Sequence, residues 1–156
     1  MNIDLDKCRP YKDFGKGFYL TDIQEQAEQM AYRVARIYGG KPVLNAFTIA
    51  DDFMQNTNLK IKDFGNTATE EWASFILNNR SRKFTENSNP LSNQDNKYDI
   101  VIGCVANDDI ALLFRQYQNE LIDFASLIKG LTYKKLSKQY SFHTQKSIQL
   151  LTKIGV

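Results

Sequence analysis

The sequence predicts an α+β domain in which five or so short strands are interspersed with four helices. Apolar and polar residues alternate along segment 17–21, as in a half-buried strand, whereas apolar residues recur at helical spacing along 22–38. A third observation is the apolar run YDIVIGCVA at 98–106, which is typical of a central strand. Together these patterns indicate a sheet covered by amphipathic helices.

Length and composition favour one domain that covers residues 1–156. Hydrophobic residues make up 42% and charged residues 24% of the chain, an ordinary balance for a globular domain with its own core. With a net charge of +2, no strong electrostatic footprint points to nucleic acid or an acidic membrane as a partner. No apolar run approaches the roughly 20 residues that span a bilayer, and the N-terminus MNIDLDKCRP lacks the apolar core of a secretory signal. We therefore expect a cytoplasmic protein without a membrane partner.

The N-terminal third predicts a strand followed at once by a helix. Residues 17–21 form the strand, and Asp22 is the expected N-cap, with Glu25 as its capping-box partner. The helix should end at 39–40, where two glycines precede a proline. Six apolar residues recur along it at helical spacing, namely Ala27, Met30, Ala31, Val34, Ala35 and Tyr38.

Two strands and a second helix are predicted next. The strand-like runs are VLNAFTIA at 43–50 and NLKIKDF at 58–64. Thr67 or Thr69 opens the helix, whose end is marked by the asparagines at 78–79.

A polar stretch separates these elements from the C-terminal half. Residues 81–97 are rich in Ser, Asn and Gln and predict a mobile surface loop. After the central strand, Asn107 or one of the two aspartates that follow it can cap a long helix over 108–129. The tail predicts a short basic helix, a strand and a last helix, over 133–138, 139–143 and 144–153 respectively.

Several familiar chemistries do not fit the sequence. The tetrapeptide KDFG occurs at 12–15 and 62–65, but the glycine loop and H-R-D segment of a kinase do not accompany it, so we interpret both copies as turns. The two cysteines form no metal-ligand cluster and are expected to be reduced thiols. The only histidine, His143, is more typical of a structural residue than of a general base. The acidic pairs are explained equally well as helix caps or solvated faces, at 51–52, 70–71 and 108–109.

Three blocks of the sequence carry a resemblance. They are KDFGKGFYLT, YDIVIGCVAND and QYSFHT, and together they run in order from Lys12 to Thr144. The first resembles the second signature of ADP-ribosyltransferases of the poly(ADP-ribose) polymerase and diphtheria-toxin type, in which a glycine-aromatic strand leads into a helix. As a set, the blocks resemble a bacterial family of ADP-ribosyltransferase-like proteins of unassigned function.

That resemblance implies a mostly antiparallel, split sheet surrounded by helices, and a mono-ADP-ribosyltransferase that uses NAD as co-substrate. Such enzymes break the bond between nicotinamide and ribose through an oxocarbenium-like state, which needs an apolar surface for the nicotinamide and polar groups for the ribose. The acceptor would be a macromolecule, either protein or nucleic acid, and bacterial members of this type are often toxins or effectors. Tyr19 aligns with the tyrosine that stacks on nicotinamide; the alternative is that it packs on the following helix. The other implied cofactor contacts are Gly15, Gly17, Phe18, Met30 and Arg9.

Some positions depart from the enzymes' pattern. Gln139 stands where polymerase-like members carry a catalytic glutamate, so it is the implied ribose-orienting residue without a charge. Ala27 and Met30 replace a nicotinamide-binding serine and a second stacking tyrosine. The histidine-glycine pair of the family's first strand has no counterpart, so that strand is either absent or supplied otherwise. Arg9 is a candidate contact for the pyrophosphate, or else a surface arginine.

Two other function classes stay open beside the transferase. The first is a catalytically degenerate binding or interaction module with the same fold, which the missing histidine and Gln139 favour. The second is a nucleic-acid-binding role for the C-terminal lysines, for which a solvated charged face is the simpler explanation. These lysines are Lys129, Lys134, Lys135, Lys138 and Lys146.

Overall fold

The computed structural model describes residues 2–82, 91–131 and 136–155. Within these ranges the chain is a mixed α/β protein with six strands, five α-helices and two short 3-10 helices. The strands are β1 (Phe18–Leu20), β2 (Ala46–Thr48), β3 (Ile61–Asp63), β4 (Ile100–Cys104), β5 (Lys138–Phe142) and β6 (Thr152–Ile154). The helices are α1 (Gln24–Tyr38), α2 (Glu70–Arg80), α3 (Asp108–Gln118), α4 (Phe124–Leu131) and α5 (Gln145–Ile148). In the described ranges no helix is long and apolar enough to cross a membrane.

Four strands form one sheet in the order β1-β5-β4-β3, and β2 pairs with β6 in a second, two-stranded sheet. The β3–β4 pair is parallel, whereas the β1–β5, β4–β5 and β2–β6 pairs are antiparallel. Three of these four strand pairs are antiparallel, as expected, but the larger sheet is mixed. As predicted, β4 lies inside the sheet, and all of its residues are buried.

Alternation along β4 divides the core between the two faces of the larger sheet. Val101 faces a cluster formed mainly with the α2, α3 and α4 helices, and Trp72 at its centre donates a hydrogen bond from Nε1 to the Cys104 carbonyl at 3.2 Å. Ile100 and Ile102 face the opposite cluster, which includes Phe142 and the side chains near α5. We call these the helical face and the opposite face of the sheet.

The predicted starts of α2 and α3 are confirmed, whereas the predicted start of α1 and the predicted end of α3 are wrong. The side chain of Thr69 accepts a hydrogen bond from the Trp72 N–H at 3.2 Å and so caps α2, while Asn107 caps α3 in the same way. The predicted cap of α1 by Asp22 is wrong, because Ile23 occupies the N-cap position. The single helix predicted over 108–129 is also wrong: Glu120 has a positive φ of 60° that ends the first helix, and α4 begins four residues later.

The apolar residues that recur along α1 are not part of the buried core. No residue of this helix is buried, and Met30, Val34 and Tyr38 are 56%, 46% and 62% exposed. Helical spacing identifies an amphipathic helix, but it does not establish that another element covers the apolar side. Polar contacts instead attach α1 to the domain, including the hydrogen bond from Gln26 Nε2 to Ser137 Oγ.

The C-terminal tail also differs from the prediction. The last helix is limited to α5, with a capping box at Thr144, and residues 152–154 pair with β2 in place of continuing the helix over 144–153. Residues 133–135 of the predicted basic helix at 133–138 lie outside the described residues, and Lys138 already belongs to β5. Residues 83–90 of the predicted loop likewise lie outside them.

Candidate functional site

Tyr19 and Gln139 lie on the same face of the larger sheet. In the antiparallel β1–β5 pair, Tyr19 is opposite Ser141, and Gln139 precedes Ser141 by two residues on β5. Side chains that are opposite each other, or two apart on one strand, point to the same face. Both therefore project toward the helical face, although 120 residues separate them in the chain.

The turn that precedes β1 folds back over Tyr19. The Tyr19 hydroxyl accepts a hydrogen bond from the Phe14 N–H at 2.9 Å and donates one to the Gly15 carbonyl at 2.7 Å. Its ring stacks with Phe14 at a centroid distance of 6.3 Å and meets His143 edge-on at 6.1 Å. Burial raises the pKa of Tyr19 well above its ordinary value.

Gln139 contacts the same turn from the other side. Its Nε2 donates to Asp13 Oδ2 and to the Cys104 carbonyl, each at 3.3 Å. The turn residues Asp13 to Gly15 therefore contact both Tyr19 and Gln139. The two side chains are brought together through this segment, which lies over the sheet between them.

Helix α2 anchors Asp13. Arg80, in the last turn of α2, donates from Nε to Asp13 Oδ1 at 2.7 Å and from Nη2 to the same oxygen. The preceding residue, Asn79, is fully buried and donates from Nδ2 to the Asp13 carbonyl at 3.0 Å. Asn79 thus holds the main chain of Asp13 and Arg80 holds its side chain. The other carboxylate oxygen, Oδ2, is therefore fixed in direction.

His143 and Ser141 form a buried polar pair beside Tyr19. Ser141 Oγ lies 2.8 Å from His143 Nε2, and His143 Nδ1 lies 2.8 Å from the Lys16 carbonyl. Burial lowers the pKa of His143 to about 4, against smaller opposing effects of the Lys16 carbonyl and Asp99. The imidazole is 3% exposed, so its position agrees with the structural role predicted for it.

Protein atoms occupy the space beside the two glycines of the turn. A Cβ at Gly17 would lie 2.5 Å from His143 Nδ1. Gly15 has a positive φ of 97°, and a Cβ there would lie 2.9 Å from the Asn93 carbonyl oxygen. Folding alone therefore requires both glycines, and their predicted contact with a dinucleotide stays a prediction.

Three other predicted contacts lie apart from Tyr19 and Gln139. Phe18 projects to the opposite face of the sheet, where its ring meets Phe47 at 5.6 Å. Arg9 donates from Nη2 to the Tyr38 hydroxyl at 2.7 Å at the end of α1. Met30 lies on the exposed side of that helix. The predicted contact of Phe18 therefore does not fit a ligand on the helical face, and those of Arg9 and Met30 would require a ligand that extends to α1.

The clefts described in this structure lie elsewhere. One of about 280 Å³ is bounded by the 3-10 helix at Phe53–Gln55 and by Leu150. A broader depression of about 500 Å³ lies between α3 and α4 and is lined by residues 117–123 in part. Neither of these two clefts includes Tyr19 or Gln139.

Sequence reasoning missed Asp13 and Arg80, although the repeated KDFG tetrapeptide drew attention to the first. In the second copy, Asp63 caps its own turn by accepting from the Gly65 N–H at 2.8 Å. In the first copy, Asp13 reaches a guanidinium 67 residues away. The tetrapeptide is the same in both copies, so it does not by itself indicate which aspartate makes a distant contact.

The sequence was compared with known protein families, curated proteins and solved structures. A family described as "Protein of unknown function (DUF3990)" matches residues 1–152. The chain belongs to this family. The part matched to DUF3990 includes every candidate residue discussed above. Curated proteins and solved structures gave no match to this DUF3990 chain.

Proposed function

We propose that this DUF3990 protein is an NAD-dependent mono-ADP-ribosyltransferase that modifies a macromolecular acceptor and releases nicotinamide. The observation that supports this most directly is the position of Tyr19 and Gln139 on one face of two paired strands. The resemblance of the three sequence blocks assigns these residues to nicotinamide and ribose. The turn at Asp13–Gly15 hydrogen-bonds both residues, so a single ligand that contacts both would have to bind across this turn.

The proposed reaction divides the work between the two side chains. The bond between ribose C1′ and the nicotinamide nitrogen breaks, and nicotinamide leaves with the electron pair. A nucleophilic atom of the acceptor then bonds to C1′ and loses its proton to solvent. The partly buried ring of Tyr19 would hold the nicotinamide, which adds on the order of 1 kcal/mol beyond burial. Gln139 Oε1 would accept a hydrogen bond from a ribose hydroxyl.

Gln139 also limits the expected rate. A glutamine has no negative charge to favour the cationic transition state, and comparable electrostatic contributions are worth roughly 2–4 kcal/mol. The nearest carboxylate, Asp13, is already paired with Arg80. We therefore expect a slow transfer of single ADP-ribose units.

The same observations favour a second candidate, a binding module of this fold without catalysis. Tyr19 and Gln139 both hydrogen-bond the turn at Asp13–Gly15, and this arrangement can recognise a ligand without promoting bond cleavage. Such a module would bind NAD, or another ligand with a ribose hydroxyl, and leave it intact.

Calorimetry with NAD and chromatographic measurement of nicotinamide test both candidates. The informative variant is Tyr19→Leu, and its matched control is Tyr140→Leu. Tyr140 follows Gln139 directly but packs on the opposite face of the sheet. We expect Tyr19→Leu to weaken NAD binding at least about tenfold, which corresponds to about 1.4 kcal/mol, whereas Tyr140→Leu should bind as the wild type does.

The outcomes separate the candidates. Nicotinamide release above the protein-free blank supports the transferase, and NAD binding without release supports the binding module. If wild-type protein does not bind NAD, or if Tyr19→Leu binds it unchanged, the proposed site is incorrect.

A further inference from the structure

The amide group of Gln139 has one orientation that suits its surroundings. Its two close neighbours are Asp13 Oδ2 and the Cys104 carbonyl oxygen, each 3.3 Å from Nε2. A carbonyl oxygen and a carboxylate paired with arginine are both hydrogen-bond acceptors. Both hydrogens of Nε2 are therefore directed at the protein, and Oε1 points away from these two acceptors.

The neighbouring carboxylate is itself prevented from turning. Arg80 binds Asp13 Oδ1 through Nε and Nη2, and its guanidinium also lies 5.5 Å from the centre of the Phe114 ring. The Asp13 side chain is 15% exposed, and Asn79 holds its main-chain oxygen. With one carboxylate oxygen committed to Arg80, the other remains directed at Gln139.

We propose that Asp13 is a positioning residue that fixes the Gln139 amide with Oε1 presented as a hydrogen-bond acceptor. The site then takes a ligand that donates a hydroxyl at this point, as a ribose does. This inference rests on the proposed function, because it assigns the direction of the group that would meet the ribose. Asp13 acts through Gln139 and not on the reacting atoms.

The same geometry explains why a neutral residue stands at position 139. A carboxylate there would face Asp13 Oδ2 and the Cys104 carbonyl, so like charges would adjoin at hydrogen-bond distance, which is unfavourable. Removing the charge at position 13 should relieve that conflict, because an asparagine amide can donate to a carboxylate. In the Asp13→Asn protein, by contrast, the new amide can donate to Gln139, and the Gln139 side chain is then free to turn its Oε1 away from the ligand.

A double-mutant cycle in the full chain tests the coupling. The variants are Asp13→Asn, Gln139→Glu and the combination of both, with the exposed Asp51→Asn as the matched control. Denaturant unfolding at pH 7 without ligand gives stability, and calorimetry gives the NAD affinity. We expect Gln139→Glu to lower the denaturation midpoint and the added Asp13→Asn to restore a large part of it. Asp13→Asn alone should weaken NAD binding about tenfold, while Asp51→Asn should leave it unchanged.

Two results would overturn the inference. One is strict additivity of the two substitutions in stability, which would show that Asp13 and Gln139 are not coupled. The other is wild-type NAD affinity in the Asp13→Asn protein. If the wild type itself does not bind NAD, the proposed function fails, whereas the stability cycle still decides whether Asp13 positions Gln139.

Discussion

The buried imidazole of His143 should make the protein less stable in mild acid. Neutral His143 can donate from Nδ1 to the Lys16 carbonyl and accept at Nε2 from Ser141, at 2.8 Å in each case. A protonated ring could also be hydrogen-bonded, because Ser141 can instead donate to the Val101 carbonyl at 3.0 Å. Hydrogen bonding therefore suits both forms, and burial decides in favour of the neutral one.

The size of the effect follows from the two pKa values. His143 has a pKa of about 4 in the folded protein, against about 6.5 in an unfolded chain. Between these values the unfolded chain binds more protons, so lowering the pH favours unfolding. The contribution of neutral His143 to the free energy of unfolding is present above pH 6.5, and about 2 kcal/mol of this contribution is lost by pH 5. The complete loss, near 2.5 × 1.36 or about 3.4 kcal/mol, is reached only below pH 4.

Denaturant unfolding at pH 7 and pH 5 measures this loss, which corresponds to a decrease in Tm of about 4–8 °C for a domain of this size. The assignment is unambiguous because the chain has a single histidine. His143→Gln should be less stable than the wild type at pH 7, but its stability should change much less between pH 7 and pH 5. An equally steep decrease in the variant, or an NMR titration of His143 centred near pH 6.5, would refute the reasoning.

Two further substitutions test the local structure around the sheet and the helical face. Thr69→Ala removes the cap at the Trp72 N–H and should lower the free energy of unfolding by about 1 kcal/mol, whereas the exposed Thr67→Ala should change it little. Gly17→Ala places a methyl group 2.5 Å from an imidazole nitrogen and should cost about 1–3 kcal/mol. The control is Gly155→Ala, because a Cβ at Gly155 meets no atom within 4 Å. Equal stability of Gly17→Ala and Gly155→Ala would contradict the close contact between Gly17 and His143.

Local sequence predicted the elements whose signal is local. The β4 strand is an uninterrupted apolar run, and Thr69 and Asn107 are N-cap residues ahead of helical patterns, so each was recognisable without knowledge of its partners. The end of α3 was not recognisable, because Glu120 adopts a positive φ without a glycine or proline to mark the turn. Likewise, β6 forms because Thr152–Ile154 pairs with Ala46–Thr48, a contact that the periodicity of the tail does not contain.

The candidate site divides in the same way. Tyr19 and Gln139 were identified from their sequence blocks, and their common face follows from strand pairing. Asp13 and Arg80 were missed because their contact joins residues 67 positions apart. The exposed apolar side of α1 could not be foreseen, since amphipathic spacing is the same whether a helix is covered or not.

The order of strands in the larger sheet has a consequence for biosynthesis. The N-terminal β1 joins the sheet only through β5, which is made more than a hundred residues later. Until β5 leaves the ribosome, the most apolar strand, β4, has an open hydrogen-bonding edge that can pair with other chains. The nascent protein should therefore be vulnerable to aggregation late in translation, and chains that stop before residue 138 should depend on chaperones for as long as they persist.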